Sequence, residues 1–221
     1  MTLGLVRIYH ARNGDKEEIL KKIICLCLSA VMALSMVVFA SADDEKPVNY
    51  MAMMIEAALT GDYETGEYAE NERNAKIEES DLEYTKISFN DLYLLAKIIY
   101  AEAGSEWLSD EWKMCVGEVV LNRVASPEYP NTIAEVIYQK GQYYSESSRY
   151  FKNLKPSVRC VRLALRLLEG ERVMNDPSVV FQANFRQGSG VCLKLRDSLL
   201  GSTYFCYSNH PELYTKVEEA A

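Results

Sequence analysis

Apolar residues recur at helical spacing through the second half of the chain and predict four helices. These helices cover residues 88–104, 109–125, 132–139 and 156–170. Ser88 and Thr132 stand where a hydroxyl can cap a helix N-terminus, and Gly104 and Gly170 are natural C-terminal stops. The Tyr- and Ser-rich stretch 141–153 between the last two helices is predicted to be a loop.

After Gly170 the pattern of apolar residues no longer has helical spacing. Residues 179–185 and 202–207 are rich in β-branched and aromatic residues and predict two strands, with Gly188, Gly190 and Gly201 between them. Helices followed by strands of this kind predict an α+β fold, a mainly helical lobe with a small C-terminal antiparallel sheet.

The N-terminus has the pattern of an export signal. Lys21 and Lys22 precede an apolar run over residues 23–40, which ends in the cleavage pattern Ala40-Ser41-Ala42. Residues 1–42 are therefore predicted to be a signal peptide of a secreted protein. The run is nearly long enough to span a bilayer, so a retained membrane anchor is the alternative, and the membrane would then be contacted through this segment alone.

The formal net charge of −8 is concentrated just after that segment. Residues 43–84 carry thirteen acidic and three basic side chains, whereas residues 88–221 carry sixteen and fifteen. Although residues 51–59 could form a short helix, we predict that residues 43–87 are an acidic, flexible linker and that residues 88–221 are the folded domain. The chain has no basic stripe, so nucleic acid is not expected as a partner.

Cysteine and histidine content limits the possible chemistry. Beyond residue 42, Cys115 and Cys160 are expected to be buried in helices, whereas Cys192 and Cys206 are the better candidates for a disulfide. His210 is the single histidine there. A zinc site needs several His, Cys or carboxylate ligands around one position, and a single histidine argues against such a site in this chain. We therefore expect neither a metal nor another cofactor.

Glu102 is the candidate catalytic residue. It lies three residues after Ile99 and seven after Leu95, which places it at the edge of the apolar stripe near the helix end. A carboxyl beside apolar groups and a helix C-terminus has a raised pKa and can act as a general acid. From spacing alone, a carboxylate that merely borders the stripe and pairs with a lysine remains the alternative.

Several motifs around Glu102 follow one another in the order and spacing of a known protein family. They occupy residues 99–106, 119–124, 129–133 and 136–143. The first contains Tyr-x-Glu at the end of an apolar helix, followed by a second glutamate, Glu106. Together they resemble the SleB/CwlJ-like cell wall hydrolases, the spore cortex-lytic enzymes, over residues 92–143 and more loosely to about residue 207.

This resemblance implies a lysozyme-like fold and an enzyme that cleaves peptidoglycan glycan strands between N-acetylmuramic acid and N-acetylglucosamine. It assigns Glu102 as the acid that protonates the leaving oxygen of a lytic transglycosylase. Such an enzyme would work in the cell wall or in spore cortex. The family commonly has Arg-Gly where this chain has Gly104-Ser105, which puts a role for Glu106 in doubt.

Further polar and aromatic residues are candidates for contacts with the glycan. They are Glu106, Glu118, Asn122, Gln142, Tyr143, Phe181 and Gln182. Glu118 is expected to face solvent, or alternatively to reach the cleft as a second carboxylate. Asn122 could equally serve packing, Arg123 is expected to brace the structure, and Tyr143 could be an ordinary loop residue.

Three other functions stay open at this point. A hydrolytic muramidase would use a second carboxylate, and an N-acetylmuramoyl amidase would use a metal site. A non-catalytic cell-wall-binding protein would need no acid at all. Spore cortex and vegetative peptidoglycan remain alternative substrates.

Overall fold

The computed structural model describes residues 48–79 and 85–214. Within them the helices are α1 Tyr50–Thr60, α2 Tyr63–Glu79, α3 Phe89–Ala103, α4 Asp110–Ala125, α5 Ile133–Tyr138, α6 Arg149–Asn153 and α7 Val158–Leu168, and the strands are β1 Val179–Ala183, β2 Val191–Asp197 and β3 Gly201–Tyr207. The predicted signal peptide, residues 1–42, lies outside the described residues. No helix in the described ranges is long and apolar enough to span a membrane.

The four predicted helices form where their caps indicate. Each begins after a hydroxyl side chain that accepts a hydrogen bond from the backbone N–H three residues later. These caps are Ser88, Ser109, Thr132 and Ser157. The short helix α6, capped by Ser148, was missed because its few residues lie in a stretch that we predicted to be loop.

Helix α3 is the centre of the helical lobe. Ten of its fifteen residues are buried, so it is enclosed on nearly all sides, as expected of a helix with apolar residues around its whole circumference. It packs against α7 and α4, and the core that they share includes Leu95, Ile99 and Leu167.

The prediction of a flexible linker over residues 43–87 is wrong for the described part of that range. Helices α1 and α2 form a hairpin whose Met54, Ala58 and Ala69 are fully buried in the same core as α3. The apolar face of α2 consists of Gly66 and Ala69, which are too small to give a hydrophobic period. The large side chain of this contact, Phe89, belongs to α3, so the folded unit begins near Asn49.

The sheet has three antiparallel strands in the order β1-β3-β2. We predicted β1 and β3 but missed β2. One face of the sheet packs on α4, where Val179 and Phe205 contact Val116 and its neighbours in a second apolar cluster. The predicted α+β class, a mainly helical lobe with a small C-terminal antiparallel sheet, is confirmed.

The four cysteines in the described residues are free thiols. Cys115 and Cys160 are buried in helices, as predicted. The predicted disulfide between Cys192 and Cys206 is absent because the two side chains lie on opposite faces of the sheet. Cys192 packs towards α4, whereas Cys206 alternates with Phe205, which faces α4.

Candidate active site

Glu102 lies in the last turn of α3 and lines a pocket of about 130 Å³ between α3, α4 and the sheet. Its neighbours in the pocket wall are Trp112, Val116, Gln182, Ala183, Asn184 and Thr203. The wall therefore combines apolar side chains from α4 with amide and hydroxyl side chains from β1, β3 and the residue after β1. Among these lining residues Glu102 is the only carboxylate.

The surroundings of Glu102 favour its protonated form. Glu102 is partly exposed to solvent and partly covered by the pocket wall. This partial desolvation raises the pKa of Glu102, and a hydrogen bond from the Tyr144 hydroxyl lowers it by a smaller amount. Glu102 can therefore hold a proton at higher pH than a free glutamate.

Tyr144 is held rigidly beside this carboxyl. Its ring stacks on Phe151 with 4.8 Å between the centroids, and its backbone N–H donates to the Ile137 carbonyl over 3.3 Å. Burial and the charge of Glu102 raise the pKa of Tyr144 to about 12, so its hydroxyl remains a donor at neutral pH.

Arg123 joins the loop of Tyr144 to the sheet. Its Nε donates to the Val180 carbonyl over 2.7 Å, and its Nη1 donates to Oε1 of Gln142 over 3.0 Å. The guanidinium also lies over the Tyr143 ring, 5.0 Å from the centroid. Arg123 is a brace, as predicted, although it braces a strand carbonyl and a side-chain amide.

Tyr143 packs against Arg123 and is close enough to Glu102 for its pKa to respond to that charge. Its hydroxyl is buried and has no hydrogen-bond partner among the described residues. Desolvation raises the pKa of Tyr143 to about 12, with Arg123 lowering it and Glu102 raising it further. A neutral hydroxyl therefore stands near the acid. Tyr143 and Gln142 line a second, neighbouring pocket rather than the pocket of Glu102.

A β-bulge brings Gln182 into the Glu102 pocket. The pairing of β1 with β3 shifts between Val179 and Phe181, and such a shift turns the following side chains over. Gln182 consequently shares the α4 side of the sheet with Val179. Phe181, also a candidate for glycan contact, lies on the other side, half-buried beside Gly188, and does not line the Glu102 pocket.

Glu118 neither faces solvent nor lines the Glu102 pocket, so both expectations for it are wrong. It is fully buried. Its Oε2 accepts from the backbone N–H of Val173 over 2.8 Å, and its Oε1 from that of Asn175 over 3.0 Å. The N–H of Met174 donates to both oxygens. Glu118 therefore fixes the chain before β1, a role that spacing within α4 cannot reveal.

Asn122 has a similar structural role. Its Nδ2 donates to the carbonyls of Asp176 and Val179, each over 3.0 Å, and its side chain is buried. Glu106 is exposed and does not line the Glu102 pocket. Its carbonyl accepts a hydrogen bond from Nη1 of Arg159 over 2.7 Å.

Lys113 holds the end of α3, a role that the sequence did not indicate. It is almost completely buried, and its Nζ donates to the carbonyls of Ala103 and Ser105 at the end of α3. An ammonium group at this place satisfies carbonyls that the helix leaves unpaired. Trp112 and Val116 were missed as pocket residues, although their i, i+4 spacing on α4 places them on one face.

In the described residues, His, Cys, Asp and Glu side chains form no group of three that could hold a metal ion.

Part of the chain is similar to known cell wall hydrolases. A family model described as Cell Wall Hydrolase matches residues 109–188, which begin just after Glu102. The spore cortex-lytic enzyme of Bacillus subtilis (strain 168) is 42% identical over 52 residues, 24% of this chain and 16% of that enzyme. The chain therefore matches only a small part of that relative.

A solved structure gives a weaker match. The catalytic domain of the Bacillus cereus SleB protein is 21% identical, covers 54% of this chain and 91% of its own, and superposes with a TM-score of 0.39. The resemblance predicted from the motifs is confirmed by the family model, which describes residues 109–188 as similar to a Cell Wall Hydrolase.

Proposed function

We propose that this protein is an exported enzyme that cleaves peptidoglycan glycan strands between N-acetylmuramic acid and N-acetylglucosamine, with Glu102 as the general acid. One observation carries this proposal. A carboxyl with a raised pKa stands in a pocket whose other polar groups are the uncharged side chains of Gln182, Asn184 and Thr203. Uncharged amides and hydroxyls suit sugar hydroxyls, and the protonated acid suits a glycosidic oxygen.

The reaction that we propose is a lytic transglycosylation. Glu102 donates its proton to the glycosidic oxygen as the bond from that oxygen to C1 of the muramic acid breaks. The C6 hydroxyl of the same muramic acid then bonds to C1 and closes a 1,6-anhydro ring. Its proton passes to the Glu102 carboxylate, so the enzyme returns to its starting state and no water is consumed.

The presence of a single carboxylate in the pocket favours the lytic reaction over hydrolysis. Retaining and inverting glycosidases generally use two carboxylates, whereas Glu102 is alone among the residues that line its pocket. Glu118, the second carboxylate that the sequence suggested, has both oxygens engaged by backbone N–H groups. A mechanism in which one glutamate acts first as acid and then as base needs no second carboxylate.

The place of action follows from the N-terminal segment and the relatives. Residues 1–42 have the pattern of a signal peptide, and one relative is a spore cortex-lytic enzyme. We therefore propose that the protein acts outside the membrane on cell wall or spore cortex. If the signal is retained, it would anchor the protein by that segment.

The decisive variant is Glu102→Gln. It should stop the release of anhydro-muropeptides from purified cortex and sacculi and leave the circular dichroism spectrum and wall binding unchanged. Glu111→Gln is the matched control, because Glu111 is an exposed glutamate on α4 outside the pocket. Persistent cleavage by Glu102→Gln would contradict the proposal.

The products separate the alternatives. Mass spectra with anhydro ends indicate the lytic reaction, whereas reducing ends indicate a hydrolytic muramidase. Loss of activity on chelation, with free stem peptides as products, would indicate an amidase. Binding to the wall without any cleavage by the unaltered protein would indicate a non-catalytic wall-binding protein.

A further inference from the structure

A larger pocket of about 790 Å³ lies beside the pocket of Glu102. Its wall is the loop 138–147 together with Lys152. Tyr144 links the two pockets, because it lines the larger one and its hydroxyl bonds to Glu102. Tyr144 is thus common to the surroundings of Glu102 and the wall of the larger pocket.

The wall of the larger pocket is fixed in place. The N–H of Gln142 donates to the Gln139 carbonyl over 3.1 Å, closing a turn that Gly141 completes with a φ of 82°. On the other side, Nζ of the buried Lys97 donates to the Lys152 carbonyl over 3.3 Å. A volume of this size with such walls is within the range of about 300–1,000 Å³ that is typical of preformed ligand sites.

The charges in this wall are unequal. Lys140 and Lys152 both contribute exposed side chains, and Glu146 is the one carboxylate. Neither ammonium group forms a salt bridge within residues 48–79 and 85–214. The pocket therefore presents two cations and one anion, which complements a ligand that has more carboxylates than amines.

We propose that this pocket binds the acidic stem peptide that the muramic acid carries on its lactyl group. The inference rests on the proposed function, since it places the glycan strand at Glu102. Lys140 and Lys152 then bind carboxylates of the peptide, and Glu146 binds the free amine of its diamino acid. Cleavage would consequently be faster on strands that keep their peptides than on strands stripped of them.

The test compares two substrates and two variants. We expect Lys140→Gln/Lys152→Gln to lower, by about five- to tenfold, the ratio of kcat/KM on peptide-bearing strands to kcat/KM on strands stripped with an amidase, the loss expected for two exposed charge contacts. Lys155→Gln is the matched control, an exposed lysine outside the pocket. A ratio that the double variant leaves unchanged would overturn the proposal.

A binding measurement keeps this test independent of catalysis. Stem peptide released from peptidoglycan by an amidase is titrated into the protein in a calorimeter. We expect binding by the unaltered protein and by Lys155→Gln, and binding weakened by about five- to tenfold in the double variant. Absence of binding by the unaltered protein would refute the peptide site, whereas the proposed function fails only if the glycan is not cleaved at Glu102.

Discussion

Arg123 holds Gln142 in place, because its Nη1 donates a 3.0 Å hydrogen bond to the Gln142 Oε1. The same guanidinium donates through Nε to the Val180 carbonyl over 2.7 Å, at the β-bulge that turns Gln182 into the Glu102 pocket. One side chain thus ties together the strand on one side of the acid and the loop that carries the hydrogen-bonding tyrosine.

Arg123→Lys should show whether Arg123 stabilises the protein through its two directed hydrogen bonds or only through its positive charge. A lysine cannot make both bonds, because its ammonium is a single donor point where arginine has a planar fork. We expect the free energy of unfolding to fall by about 2–3 kcal/mol, since buried acceptors lose charged donors. Denaturant unfolding measures it. Arg162→Lys, an exposed arginine on α7, should change it by less than about 0.5 kcal/mol, and equal losses would contradict the brace.

Tyr144→Phe should alter the pH dependence of cleavage. The ring stack on Phe151 stays, but the hydrogen bond that lowers the pKa of Glu102 is lost. The pKa of Glu102 therefore rises. Because a general acid is active below its pKa, the alkaline limb of the kcat/KM profile should move to higher pH. The rate at the optimum should fall by about tenfold, the equivalent of one hydrogen bond.

The neighbouring tyrosine gives the control for this profile. Tyr150 is exposed, and its ring lies 5.9 Å from that of Tyr144. Tyr150→Phe should keep both the alkaline limb and the rate. An alkaline limb in Tyr144→Phe that stays in place or moves to lower pH would show that this hydroxyl does not act on the acid.

Local signals made part of the site predictable. The position of Glu102 at the end of a capped, apolar helix depends on residues within a few turns, so spacing was enough to place it there, whereas its proposed role as the acid came from the family resemblance. The role of Glu118 depends on backbone N–H groups 55 to 57 residues later in the chain. No pattern within α4 contains that contact, and for this reason the carboxylate looked free.

Glu118→Gln should test which role this residue has. Its carboxylate oxygens accept from three consecutive backbone N–H groups, and an amide would turn one NH2 towards those donors. We expect the free energy of unfolding to fall by about 2–4 kcal/mol. The folded variant should still release anhydro products. A variant of normal stability with lost cleavage would instead make Glu118 a second carboxylate of the reaction.

The small size of the buried residues in α2 explains why the acidic segment was predicted to be a linker. In α2 the buried residues are Gly66 and Ala69, so the large side chains of this contact are aromatic rings at the start of α2 and on α3. Tyr63 and Phe89 meet edge to face with 5.5 Å between their centroids, and Oε2 of Glu70 accepts from the Phe89 N–H over 2.7 Å. Composition therefore indicated a linker, whereas the segment supports the helix that carries Glu102.

Gly66→Ala gives opposite results for a linker and for a packed helix. In an exposed helix the change should stabilise by about 1 kcal/mol, because glycine is the poorer helix former. Here an added Cβ would lie 2.5 Å from Cδ2 and Cε1 of Phe89, so the ring must shift. We expect the free energy of unfolding to fall by about 1–3 kcal/mol. The control Glu67→Ala, at the exposed next position, should change the free energy of unfolding by less than about 0.5 kcal/mol. If Gly66→Ala instead stabilises the protein, residue 66 is not packed against Phe89 and the linker prediction is supported.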